Sequence, residues 1–358
     1  MTEMKTKMRQ SNFELLRIVA MFLIIVSHIL ARISIEESPA SFSLNVLFVN
    51  CRQMFGTVGN MLFIFISGWF ITETTFSWRK FAALWFEVFF YSVAIGVIFF
   101  VFHFSINTEH GERMFGSVDL IKSFFPTVLD FNWFATAYLG FFLFSPFLAM
   151  FTAKLTQEQH KALAVLSLFM GTFPLYHIFF RTGATFPFFT LYFVISYIRR
   201  FPPHFLESPQ RCFALGGGIF VLMIIWDAVV TVASMHIDFV HEHLQQFLGV
   251  VAGIIKLPPV LCGICVFCGM RKISIKPNRF INMVAASTFG VYLIHENNWV
   301  RQSMLWQRFF HTDTIISSPW MVPYVLGLSF AVFIVCTIVD MLRKHLFAFV
   351  AKMVSSDS

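Results

Sequence analysis

Ten apolar runs of 16 to 24 residues recur along the chain, at 13–31, 54–73, 81–103, 131–152, 161–180, 183–198, 213–235, 247–269, 280–298 and 319–342. A hydrocarbon core about 30 Å thick is crossed by roughly 20 helical residues. Within it only helices or closed barrels satisfy every backbone N–H and C=O. The runs are too long for barrel strands, so they predict an all-α fold: a polytopic membrane helix bundle of about ten transmembrane helices. Composition agrees, since 57% of the 358 residues are hydrophobic and 13% are charged, against about a quarter charged in soluble domains.

Orientation follows from the rule that short cytoplasmic loops collect Lys and Arg. With the N-terminus inside, the inner segments hold 17 basic residues, among them Lys5, Lys7, Arg9, Arg199, Arg200, Arg271 and Lys272. The outer loops hold 7: Arg32, Arg52, Arg113, Lys122, Arg181, Arg301 and Arg308. Every inner segment carries at least two, which a wrong number of spans would disturb, so both termini are expected in the cytoplasm. The formal charge of +7 is thereby mostly a topology signal. No basic stripe interleaved with aromatics points to nucleic acid.

The basic start before the first run resembles a signal peptide, but Arg17 and His28 lie in that run and no small-x-small cleavage site closes it before Ala31. It is read as a retained first helix. At least four of the six cysteines fall inside apolar runs, which argues against a disulfide framework. The longest outer loop, 104–130, is long enough to fold over the outer face. No fixed-period repeat is present, and residues 1–358 read as one membrane domain with its helical bundle at 13–342.

The intramembrane polar residues carry the functional signal. In "RIVAMFLIIVSH", Arg17 and His28 are eleven residues apart, so at 100° per residue they share a helix face, about 16 Å apart along the axis. Arg at mid-membrane costs on the order of 2.5 to 3.5 kcal/mol, and such residues mark sites or pathways. The alternative for Arg17 is an interface anchor paired with Glu14. In "STFGVYLIHEN", His295 lies about as far from its inner helix start as His28 does, so the two histidines are placed to converge. Glu296 faces either the same cavity or the outer interface. Glu87, Asp227 and Lys256 are further buried polar candidates, for ion pairs or for chemistry. "MHIDFVHEH" and "CGICVFC" read better as a solvated loop and as helix packing than as metal sites. P-loop, GxGxxG, HExxH and GxSxG motifs are absent, which leaves soluble-enzyme chemistries unsupported.

The residues resemble the acyltransferase-three family of integral membrane acyltransferases, especially bacterial members that O-acetylate surface polysaccharides. The likeness rests on "FELLRIVAMFLIIVSH", with its Arg-x10-His, on "FIFISGWFI" at 63–71, on "NWFATAYLGFFLFSPFL" at 132–148 and on "ASTFGVYLIHEN" at 286–297. The chain departs in carrying Trp69 where Phe is usual, in lacking Arg-x-x-Arg-x-x-Pro after the second helix, where only "WRK" stands, and in having no extracytoplasmic hydrolase-like domain.

The resemblance implies an acyl donor, most often acetyl-CoA, entering from the cytoplasm, with no permanently bound cofactor. It also implies a polysaccharide or lipid-linked glycan acceptor and residence in the bacterial cytoplasmic membrane among its lipids. Homo-oligomerisation is left open. The catalytic candidates are His28, His295 and Arg17. Arg17, Ser67, Arg79 and Lys80 are candidates for donor binding, and Trp133, Tyr138 and Glu296 for acceptor binding. His28 would take the proton of an attacking hydroxyl or carry the acyl group itself. Ser67-Gly68 also reads as a close-packing motif, and the two aromatics as an interface belt. The rival reading is a glycan or lipid-linked sugar exporter, whose paired broken helices in related halves are not apparent.

Overall fold

The computed structural model describes residues 10–33, 42–72, 76–173, 186–253, 255–312 and 314–356. In chain order its helices are α1 (Ser11–Leu30), α2 (Leu44–Asn50), α3 (Arg52–Ile71), α4 (Trp78–Val101), α5 (Ser117–Ser123), α6 (Trp133–Lys154), α7 (Gln157–Thr172), α8 (Phe186–Arg200), α9 (Pro209–Ser234), α10 (Asp238–Glu242), α11 (Leu244–Ala252), α12 (Leu257–Lys272), α13 (Arg279–Ala285), α14 (Thr288–His295), α15 (Asn298–Gln302), α16 (Leu305–Arg308) and α17 (Met321–Ser356). The described sheet is one hairpin, β1 (Ser105–Thr108) with β2 (Gly111–Met114). The protein is an all-α membrane bundle.

Among the described residues, seven segments are long and apolar enough to cross a bilayer: α1, α3, α4, α6, α9, α17 and the stretch Leu244–Lys272, which is made of the two helices α11 and α12. The three other apolar runs appear as shorter helices. The fifth and sixth are represented by α7 and α8, of 16 and 15 residues; parts of both runs, 174–180 and 183–185, lie outside the described residues. The ninth is not one helix but two, α13 and α14, because Ser287 tightens the chain into a turn with its N–H on the Val284 carbonyl, 3.0 Å away. α17 runs past the expected end at 342 because Arg343 and Lys344 bond back to Asp340 at 2.8 and 2.6 Å, and no Pro or Gly follows.

The centre of the bundle is α1 on α3. Of their apolar windows 56% and 72% are buried, against 22% for α9, which therefore lies at the periphery. The close approach depends on glycine: a Cβ at Gly59 would stand 2.7 Å from the Ala20 carbonyl oxygen. Within a bilayer such small-residue contacts replace the hydrophobic drive that operates in water. Gly68 does the same for α8, where a Cβ would lie 2.8 Å from the Ile195 side chain, so the Ser67-Gly68 pair is a packing site.

Most of the buried charges find partners. Glu87 and Asp340 both bind Arg343 at 2.8 Å, and Tyr91 donates to Asp340 at 2.8 Å. Lys344 reaches Asp340 at 2.6 Å and donates to the Ala286 carbonyl at 2.6 Å and the Ser287 hydroxyl at 3.2 Å, so it holds the α13–α14 break. Lys256 donates to the Thr172 carbonyl at 2.6 Å, which caps the end of α7. Asp227 is fully buried, and Thr231 one turn on donates to its backbone carbonyl at 2.7 Å.

Residues 104–131 fold over one end of the bundle. Arg113 clamps Asp119 with two bonds, of 2.6 and 2.8 Å, which ties the hairpin to α5. Trp299 donates its indole N–H to Ser123 at 2.8 Å, and Ile106 pairs with Ser303, which joins this cover to the segment after α14.

Candidate active site

α1 and α14 bring His28 and His295 together, with His28 Nδ1 3.0 Å from His295 Nε2. The hydrogen bonds around the pair assign the neutral tautomers. His295 Nδ1 donates to the Val291 carbonyl, 2.7 Å away and one turn earlier on its own helix. Its Nε2 must then accept, so His28 donates from Nδ1 and keeps a lone pair on Nε2. The His28 side chain is 22% exposed and Glu296 beside it 9%, so His28 is the more open end of this chain of contacts.

Glu296 lies on the same side of His28, with Oε2 3.3 Å from Nδ1. Two arginines hold the carboxylate: Arg32 at 3.2 Å through Nη2, and Arg301 at 3.6 Å on Oε1. Arg32 also donates to the His28 backbone carbonyl and stacks on the Trp306 ring at 4.3 Å. A base oriented by a carboxylate that is itself pinned is the general layout of an acid–base relay. His28, His295 and Glu296 also lie within the spacing of a three-ligand metal site, their donor atoms all within 4.8 Å of one another. The two guanidinium groups on Glu296 oppose a divalent cation there, and the arrangement fits proton transfer better.

Eleven residues earlier on α1, Arg17 lines a cavity of about 160 Å³ together with Ser67, Tyr138, Phe134, Ala286 and Thr288. Three residues singled out from the sequence on different helices, Arg17, Ser67 and Tyr138, thus meet. Arg17 also pairs with Glu14 at 3.3 Å, so the anchoring contact and the cavity position coexist. The first turn of α14 adds Thr288 and Phe289 to the cavity wall, and a helix N-terminus favours negative charge. Lys344, through its bonds to the break, sets where that turn stands.

Arg79 and Lys80 are not brought to this cavity. They lie exposed in the first turn of α4, and Leu84 one turn on is the α4 residue in its wall. Trp133 starts α6 with its ring edge-on to Phe134, 5.6 Å between centroids, and it is Phe134 that faces the cavity. Glu296, expected among acceptor-binding residues, instead contacts His28 and the two arginines. Trp69, where the resemblance expects Phe, has Arg199 at 4.5 Å and Arg271 at 5.3 Å from its ring, so its larger π face is used by two cations.

Sequence reasoning missed Arg32, Arg301 and Lys344 as parts of the site. Arg32 had a signal, for it follows His28 by four residues and so continues the Arg17–His28 face. Arg301 and Lys344 had none, since each reaches its partners through tertiary packing.

No curated protein and no solved structure matches the chain. The profile of the acyltransferase domain matches residues 10–340, nearly the whole chain, including both histidines and the Arg17 cavity. The protein is a multi-pass membrane acyltransferase and belongs to the acyltransferase-three family.

Proposed function

We propose that this protein is a membrane O-acetyltransferase of the bacterial cytoplasmic membrane, moving acetyl from cytoplasmic acetyl-CoA to a hydroxyl of a surface or exported polysaccharide. The observation that carries the reading is the His28–His295–Glu296 chain of contacts, which leaves His28 Nε2 as the base, about 16 Å along α1 from a cavity lined by Arg17.

In this reading the donor enters at the Arg17 end, where the guanidinium meets an anionic or carbonyl oxygen through charge-assisted hydrogen bonds. Ser67 and Tyr138 line the same approach, and the first turn of α14 favours the negative charge that the donor carries. His28 Nε2 takes the proton of the acceptor hydroxyl as its oxygen forms a bond to the thioester carbonyl carbon. The C–S bond then breaks, the CoA thiolate leaves, and the proton passes from the imidazolium to that thiolate. Glu296 stabilises the imidazolium, and His295 keeps His28 in the tautomer that has a free Nε2.

The test is steady-state transfer by purified protein with acetyl-CoA as donor. Arg17→Gln removes a charged hydrogen bond worth about 1.5 to 3 kcal/mol, so KM for acetyl-CoA rises roughly 10- to 100-fold while kcat changes less. Membranes rich in the wild-type protein that neither transfer nor hydrolyse acetyl from acetyl-CoA would contradict the reading and favour an exporter.

A further inference from the structure

A second cavity meets the histidine pair from the side of the bundle. It lies between α14, α16 and α17, has a volume of about 260 Å³, and is walled by Leu305, Trp306, Phe310, Val332, Val335 and His295 among others, with no polar atom exposed to it. His295 can close an apolar cleft because both of its ring nitrogens are already bonded, to Val291 and to His28, so its carbon edge is what remains.

The mouth opens onto the bilayer. Val335 is 59% exposed, and Val339 and Leu342 are exposed on the same face of α17, a membrane-crossing helix. A dry cleft of this kind in lipid takes hydrocarbon. Charge beside it sets the other end of the occupant. Arg32 stacks on Trp306, a wall residue, and Arg301 is 44% exposed, while the one carboxylate they share is Glu296. Two guanidiniums against one carboxylate leave a net positive charge beside an apolar slot, which suits an alkyl chain with an anionic head.

We propose that this cleft seats the chain of a lipid-linked acceptor, a glycan carried on a long alkyl phosphate, with its phosphate at Arg301 and its sugar hydroxyl directed to His28. The inference rests on the acyl-transfer reading and names the form in which the acceptor arrives. The cleft opens sideways to the membrane, not toward the Arg17 end assigned to the donor, so its occupant comes from the bilayer.

The experiment uses the full chain in phosphatidylcholine nanodiscs with a polyprenyl phosphate bearing a diazirine in its chain, photolysed and mapped by mass spectrometry. Cross-links are expected to concentrate on Leu305, Phe310 and Val335, and to be competed by unlabelled polyprenyl phosphate. In Ala331→Trp, which fills the cleft, they are expected to fall roughly tenfold, the change that a loss of about 1.4 kcal/mol gives. Equal competition by phosphatidylglycerol would assign the cleft to bulk lipid, and competition by octanoyl-CoA instead would assign it to a donor acyl chain. Either result overturns the proposal, as does labelling spread evenly over the lipid-facing helices. The competition arms need only wild type, so they decide the matter if Ala331→Trp fails to fold. Labelling requires no turnover: protein that labels but transfers no acetyl overturns the enzymatic reading alone, and protein that transfers acetyl without cleft labelling overturns this inference alone.

Discussion

Replacing Glu296 by Gln isolates the electrostatic part of the relay with little change of shape. In the transition state His28 becomes an imidazolium 3.3 Å from the carboxylate. At an effective dielectric near 20 that attraction is about 5 kcal/mol. The amide oxygen of Gln keeps a neutral hydrogen bond worth about 1 kcal/mol, so the net loss is about 4 kcal/mol, or roughly 10³-fold in kcat. KM for acetyl-CoA should change little, because Glu296 is not in the wall of the Arg17 cavity. The assay is single-turnover acetyl transfer by detergent-purified protein, with thermal unfolding as a control because Arg32 and Arg301 lose their shared anion. A folded Glu296→Gln protein within about tenfold of wild type in kcat would refute the assignment of charge stabilisation to this carboxylate.

Two further expectations follow from the geometry. Lys344→Met loses the bonds to Ala286 and Ser287 that hold the α13–α14 break. Transfer should fall about tenfold in protein that still folds, with Lys344→Arg restoring most of it; equal rates in all three would show that the break needs no such clamp. In the cover over the bundle, hydrogen bonds from Arg113 hold the Asp119 carboxyl below its ordinary value of 3.8, with the Gly116 N–H adding to the effect. A depressed carboxyl stabilises the folded form above its unfolded pKa and ceases to do so as pH falls through the folded value. Hydrogen-exchange protection factors at 105–123, with the intrinsic pH dependence of exchange divided out, should therefore be high near neutrality and fall below about pH 4. Arg113→Leu should remove most of that dependence, and an unchanged acid profile would contradict it.

The legible parts of the site are those that helix geometry encodes. Arg17 and His28 fall on one face by their eleven-residue spacing, and His295 could be matched to His28 by depth, because a membrane sets a common ruler for every span. The structure joins the histidines and puts Arg17 with Ser67 and Tyr138. What could not be read is whatever depends on packing between distant segments. Glu87, left without a partner in the sequence, finds Arg343 some 256 residues away. Glu296 adjoins His295 in the chain, yet its function as the anion shared by His28, Arg32 and Arg301 emerges only when α1 and α15 meet over it. The break in the ninth run carried a weak local signal in Ser287 and Thr288, whose hydroxyls compete with helical bonding. Thr288 indeed donates to the Ala285 carbonyl at 2.9 Å, but the clamp that makes the break permanent comes from Lys344. The apolar cleft beside His295 was invisible, since its walls are ordinary membrane residues until α16 and α17 frame them.

The central claim is that His28 does the chemistry, and the most direct measurement follows radiolabelled acetyl from acetyl-CoA into surface polysaccharide. The cells lack the native protein and are complemented with wild type or with His28→Ala at equal membrane abundance. Label in the polysaccharide with wild type, and none above background with His28→Ala, is the predicted result. Equal label in both would contradict the assignment of His28 as the base.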